Sequence, residues 1–113
     1  SNAVEQESNA LLLPALTLYG HAAEVTSVAV SIELDVVVSG SLDRTCNIHT
    51  VEHGVYLRTL RPSDDPIVNV KLSDERHILI HTANEQTHLF LYSINGDLIQ
   101  TKRLEYQVVD LLL

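Results

Sequence analysis

His21, Ser39 and Asp43 are the residue types of a hydrolase triad. An imidazole can take the proton of a hydroxyl nucleophile while a carboxylate orients the ring, and such a set is defined by geometry rather than by chain order. Ser39 sits between Val38 and Gly40, so no Gly-x-Ser-x-Gly elbow presents it. A second chemistry is metal binding. His49 and His53, like His77 and His81, are four residues apart, which on a helix would place two zinc ligands on one face. On a strand the same spacing is about 13 Å, too far to share one ion. Cys46 lies in an apolar stretch and reads as a small buried hydrophobe rather than a nucleophile. The acidic runs Glu5-Gln6-Glu7 and Ser63-Asp64-Asp65 lack the regularly spaced oxygens of a calcium loop and read as solvated. No metal and no cofactor is expected.

The elements that must position these residues are strands in a repeat. Ile67 to Ser73 (IVNVKLS) follows the apolar rhythm of Val25 to Ser31 (VTSVAVS) 42 residues later, and a further 41 residues reach Val108 in VVDLLL. Self-similarity at about 40–45 residues marks propeller blades and other stacked arrays. The first round predicts strands at Ala15–Tyr19, Val25–Ser31, Val36–Ser39, Cys46–Val51 and Val55–Leu60. The second predicts Ile67–Leu72, His77–His81, His88–Ile94 and Asp97–Leu104. All are short, rich in β-branched residues and bounded by turn formers. Asn95-Gly96 is a hairpin signal, since both residues tolerate the positive φ of a tight primed turn. Offsets align Gly54 with Gly96, Val36 with Ile78 and, with one extra loop residue, His49 with Tyr92.

Composition sets the broad class. An apolar fraction of 45% with 19% charged residues is globular. No apolar run approaches the roughly 20 residues of a spanning helix, and no cationic segment leads an apolar stretch as in a signal peptide. A cytoplasmic location is expected, and a single cysteine fits a reducing compartment. Fifteen acids against seven bases, a net charge of -8, disfavour nucleic acid as a partner. Arg58, Arg61 and Lys102-Arg103 are too scattered for anionic lipid recognition, and no membrane insertion is expected. Residues 1–3 resemble a tag remnant; 4–14 read as a flexible entry segment, 15–60 as an outer strand plus a first repeat, 61–104 as a second, degenerate repeat and 105–113 as the start of a third. The absence of methionine and the apolar end at Leu113 suggest a piece of a longer protein.

The segments GHAAEVTSVAVS and SGSLDRTCNIHT resemble the WD40 repeat, a four-stranded blade with Gly-His near its start and Trp-Asp at its end. His49-Thr50 stands for Trp-Asp in the first unit and Tyr92-Ser93 in the second, which lacks a Gly-His and carries Asn84-Glu85-Gln86 at the turn aspartate. LYGHAAEVTSVAVSIELDVVVSG, LRTLRP and LYSINGDLIQT are similar to the C-terminal propeller of BEACH-domain proteins, the neurobeachin-like subgroup.

The resemblance implies an all-β fold of about two four-stranded antiparallel WD40 blades, a fragment of a β-propeller. It implies a structural tetrad of His21, Ser39, Asp43 and His49 rather than a catalytic set. It further implies a non-catalytic scaffold that binds proteins or peptides, joined to a BEACH domain in a large cytosolic protein of vesicle traffic that meets endomembranes through its other parts. His49 in place of tryptophan gives the tetrad a ring that can be protonated, which would perturb the blade. Two blades cannot close a propeller, so self-association by blade stacking or strand exchange is expected. The alternative is a hydrolase that uses the Ser/His/Asp set or a site completed by missing blades. Burial and mutual bonding of Ser39 and His21 would oppose it, and an open cleft at them would favour it.

Overall fold

A computed structural model describes residues 20–104 as eight strands in two four-stranded antiparallel sheets. The first sheet is β1 (Val25–Ser31), β2 (Val36–Ser41), β3 (Cys46–His49) and β4 (Tyr56–Leu60). The second is β5 (Ile67–Leu72), β6 (His77–Ala83), β7 (Thr87–Ser93) and β8 (Leu98–Leu104). Each is a meander whose spatial order is its chain order. The fold class expected from the repeat is the one observed, and the strand ends differ from expectation by at most two residues. The expected strand Ala15–Tyr19, the entry segment and the third-repeat start at 105–113 lie outside the described residues.

Alternation explains how the sheets stack, because successive side chains of a strand face opposite ways. Val38 pairs with Ala29 on β1 and with Ile48 on β3, so these three share one face. That face joins Cys46 and Leu60 in a single core with Ile67, Val70, Ile78, Ile80, Phe90 and Tyr92 of the second sheet. The sheets pack tightly at Gly40. A Cβ there would stand 2.6 Å from Ile67 Cγ2 and 2.9 Å from Val70 Cγ1, so only glycine lets β5 lie over β2.

Polar side chains fix the register between sheets. The Thr26 hydroxyl donates to the Ile67 carbonyl at 2.7 Å, Ser27 Oγ donates to Asn69 Oδ1 at 2.9 Å, and Val70 N–H donates back to Ser27 Oγ at 3.1 Å. Both inner strands carry a bulge at the matching place, between Val25 and Ser27 and between Ile67 and Asn69. On the outer side, the Arg58 guanidinium donates to the Ile94 carbonyl in the last turn of the second sheet.

The turns correct one expectation. At Asn95-Gly96 only Gly96 has a positive φ, of 99°, with Gly96 N–H bonded to Ser93 O and Ser93 N–H to Asp97 O. This is a type I turn closed by a left-handed residue, not a primed two-residue turn. The same device recurs with Arg44 (φ 77°) between Ser41 and Thr45 and with Arg76 (φ 66°) between Ser73 and His77.

Candidate functional site

The hairpin between β2 and β3 brings the first-repeat residues together. Ser39 lies on β2, and Asp43 stands in the turn that follows, its N–H accepted by Ser41 Oγ at 3.0 Å. Ser41 Oγ donates in turn to the Ala23 carbonyl at 3.2 Å, which ties the Gly20–Ala23 segment to the turn. His21 is thereby laid across the hairpin end. Its Nδ1 is 3.0 Å from Asp43 Oδ2 and its Nε2 is 2.8 Å from Ser39 Oγ.

An ionised carboxylate only accepts, so Nδ1–H donates to Asp43 and Nε2 accepts the Ser39 hydroxyl proton. Asp43 is saturated. Oδ1 accepts the N–H of Thr45 at 2.9 Å and the Thr45 hydroxyl, while Oδ2 accepts the Ala22 N–H at 2.9 Å as well as His21. Burial pushes the Asp43 carboxyl up, but these hydrogen bonds outweigh it and hold the group at about 2.

These distances are those of a triad, but the access is not. Ser39 is 0% exposed and the His21 side chain 1%. A nucleophile must meet substrate, and neither atom of the Ser39–His21 pair opens to solvent. Beside them is an open cleft of about 880 Å³, and among its described lining residues are Asp43 and Thr45 but neither Ser39 nor His21.

His49 lies across from Val37 on β2 and meets the Tyr56 ring edge-on at 5.5 Å. Burial lowers its pKa, and the nearby His21 adds to that. The register also corrects its expected counterpart. Val37 pairs with His49 and Leu79 with Leu91, so one 42-residue step carries both partners, and Leu91 rather than Tyr92 takes the His49 position. Tyr92 points the other way, into the core. By the same step His81 replaces Ser39 in the second sheet; it is buried, and burial lowers its pKa.

Among the described residues, no three metal-ligating side chains come together. His53 is 75% exposed in the β3–β4 turn, away from buried His49. Cys46 is fully buried in the core, and burial pushes its thiol up, away from thiolate chemistry.

Thr45 was not anticipated, although Asp43 two residues before Thr45 in a hairpin loop is the signal of a side-chain-closed turn. Nor was the chain of bonds on β3 and β4 anticipated: Thr59 Oγ1 donates to Asn47 Oδ1 at 2.7 Å and meets Tyr56 Oη at 2.7 Å. Those partners are neighbours only once the register is known.

The profile of the neurobeachin beta propeller domain matches residues 2–109. The chain is 39% identical over 84 residues to BEACH domain-containing protein B of Arabidopsis thaliana, covering 74% of this chain and 3% of that protein. It is 33% identical over 79 residues to WD repeat- and FYVE domain-containing protein 4 of Homo sapiens, covering 70% of this chain and 2% of the relative. It is 31% identical over 85 residues to the Lysosomal-trafficking regulator of Homo sapiens, covering 73% and 2%. The chain thus spans only a small part of each relative's length. With two blade-like sheets joined through a continuous core, and a His–Ser–Asp set at the hairpin end of the first, the chain belongs to the neurobeachin β-propeller family.

Proposed function

We propose that the chain is a non-catalytic protein-binding module: two adjacent WD40 blades of a propeller in a BEACH-type scaffold of vesicle traffic. The observation that carries this reading is the burial of Ser39 and His21 in mutual hydrogen bonds, while the described lining of the accessible cleft includes neither of them. In this reading the His21–Ser39–Asp43 set, with His49 beyond it, is a structural tie. It satisfies a buried imidazole and carboxylate that would otherwise destabilise the blade. WD40 propellers in general bind proteins through a rigid rim, and the name of the Lysosomal-trafficking regulator supports a trafficking role for that relative. No helix among the described residues is long and apolar enough to cross a membrane.

The test is cross-linking capture from cytosol by the complete C-terminal region of the parent protein, with and without excess of that region unlabelled. The reading predicts saturable capture of protein partners that the competitor abolishes. Capture no different from that of an unrelated propeller would reject it.

A further inference from the structure

We propose that the end of the molecule built from the β1–β2, β3–β4, β5–β6 and β7–β8 turns docks a short basic segment of a partner protein that also carries aliphatic side chains. The proposal rests on the protein-binding reading above and names the surface and the partner's chemistry. An antiparallel meander brings alternate turns to one end of each sheet, and here they bring exposed apolar side chains with them. Eight large apolar residues are exposed among the described residues. Six of them, Ile32, Val55, Tyr56, Leu57, Leu98 and Ile99, lie in these turns or in the first two residues of β4 and β8. Apolar residues scattered singly need no explanation, whereas a set gathered at one end marks an interaction surface. Leu57 and Ile99 are the clearest pair. Each is the residue that a bulge in the outer ladder leaves without an opposite partner, and they are 40% and 49% exposed. A bulge re-aims a side chain, so both sheets turn an aliphatic residue outward at the matching place.

The same turns are acidic. They hold Glu33, Asp35, Glu52, Asp74, Glu75 and Asp97, all but Asp35 exposed, and among Lys and Arg they hold only Arg76. Arg58 and Lys71 on the adjoining strands raise the bases to half the number of acids, and the Arg58 guanidinium is committed inward to the Ile94 carbonyl. The opposite end sets Arg44, Arg61, Lys102 and Arg103 against five acids and is nearly balanced. Complementary charge therefore selects a cationic partner for the turn end.

Hydrogen bonds join the four turns into one surface. Asp35 Oδ1 accepts the N–H groups of Val51 and Glu52 at 3.0 and 2.9 Å, and Ile94 N–H donates to the Arg76 carbonyl at 3.1 Å. Arg58 carries the link from the first sheet to the second. A neighbouring blade packs against the faces of a sheet, so closing a propeller leaves these turns open. A second copy brought turn end to turn end sets acid against acid, and an anionic lipid surface or a nucleic acid is repelled in the same way.

Fluorescence anisotropy of a fluorescein-labelled decapeptide of alternating Lys and Leu, titrated with this chain, tests the proposal; controls are the Glu/Leu and Lys/Ser decapeptides. Saturable binding of the Lys/Leu peptide is expected, weakened about tenfold by the charge reversal E33K/E52K/E75K and about fivefold by L57S/I99S. The reversal E24K/D64K/E85K at the opposite end changes net charge equally and should leave the affinity within about twofold, since exposed charges that far away are screened. Equal weakening by the two reversals shows attraction by net charge alone and overturns the surface. So does unchanged affinity in L57S/I99S, equal binding of either control peptide, or no binding to the unsubstituted chain. If L57S/I99S instead converts a self-associated chain to monomer, the occupant is a second copy and the basic partner is wrong. Should the parent region still capture partners from cytosol in those cases, the binding-module reading stands and only this surface is rejected.

Discussion

Asp43 joins the Gly20–Ala23 segment to the β2–β3 hairpin through four donors, so its loss unties two pieces of backbone at once. Hydrogen bonds to a charged group contribute more than neutral ones, and Asp43→Ala is expected to cost about 3 kcal/mol, against about 1 kcal/mol for Ser39→Ala. Urea denaturation of the two variants checks this order. The carboxyl is held at about 2 against an ordinary 3.8, so its contribution is complete above pH 3.8 and is lost as pH falls through 2. His49 and His81 act at milder acidity. Burial lowers both, so their neutral forms stabilise the fold above the ordinary 6.5 and that contribution fades as pH drops below it. The acid slope of the unfolding midpoint between pH 6.5 and 5 should flatten in His49→Phe and again in His81→Leu. A slope unchanged in both would show that these rings do not couple to folding. Of the site, the types His21, Ser39 and Asp43 were legible in the sequence because their loop and turn signals are local. Thr59 and Tyr56 were not, since their bonds cross between strands and depend on register.

At the scale of the element, period-two alternation and β-branched runs made all eight described strands legible. The pairing of His49 with Tyr92 was misread because an alignment by turns cannot see which face a residue takes; the ladders put Leu91 there and Tyr92 in the core. Gly40 was read only as a neighbour of Ser39, yet it sets the sheet spacing. Gly40→Ala forces a methyl into Ile67 and Val70, and a loss of roughly 1–3 kcal/mol is expected from such overpacking. Thermal unfolding measures it, and a midpoint equal to the parent's would mean the sheets do not pack as described. The left-handed Arg76 gives an opposite test. Arg76→Gly removes the Cβ clash of that conformation at some cost in chain entropy, for a net gain of a few tenths of a kcal/mol, up to about 1.

For the molecule as a whole, the two sheets share one core between their facing sides, and the second sheet ends on an exposed strand. Propellers close with about four to eight blades, and β8 runs exposed along Leu98–Arg103 as an outer strand. At tens of micromolar the isolated chain should therefore sediment as dimers or larger species, and a single monomeric boundary would count against pairing through that open edge. The distinction between scaffold and catalyst rests on Ser39. Its oxygen has the neighbours of a nucleophile and the burial of a core atom. Intact-mass analysis after prolonged exposure of the folded chain to a fluorophosphonate reads that difference directly: the account predicts no adduct on Ser39, whereas stoichiometric modification of that residue would contradict it.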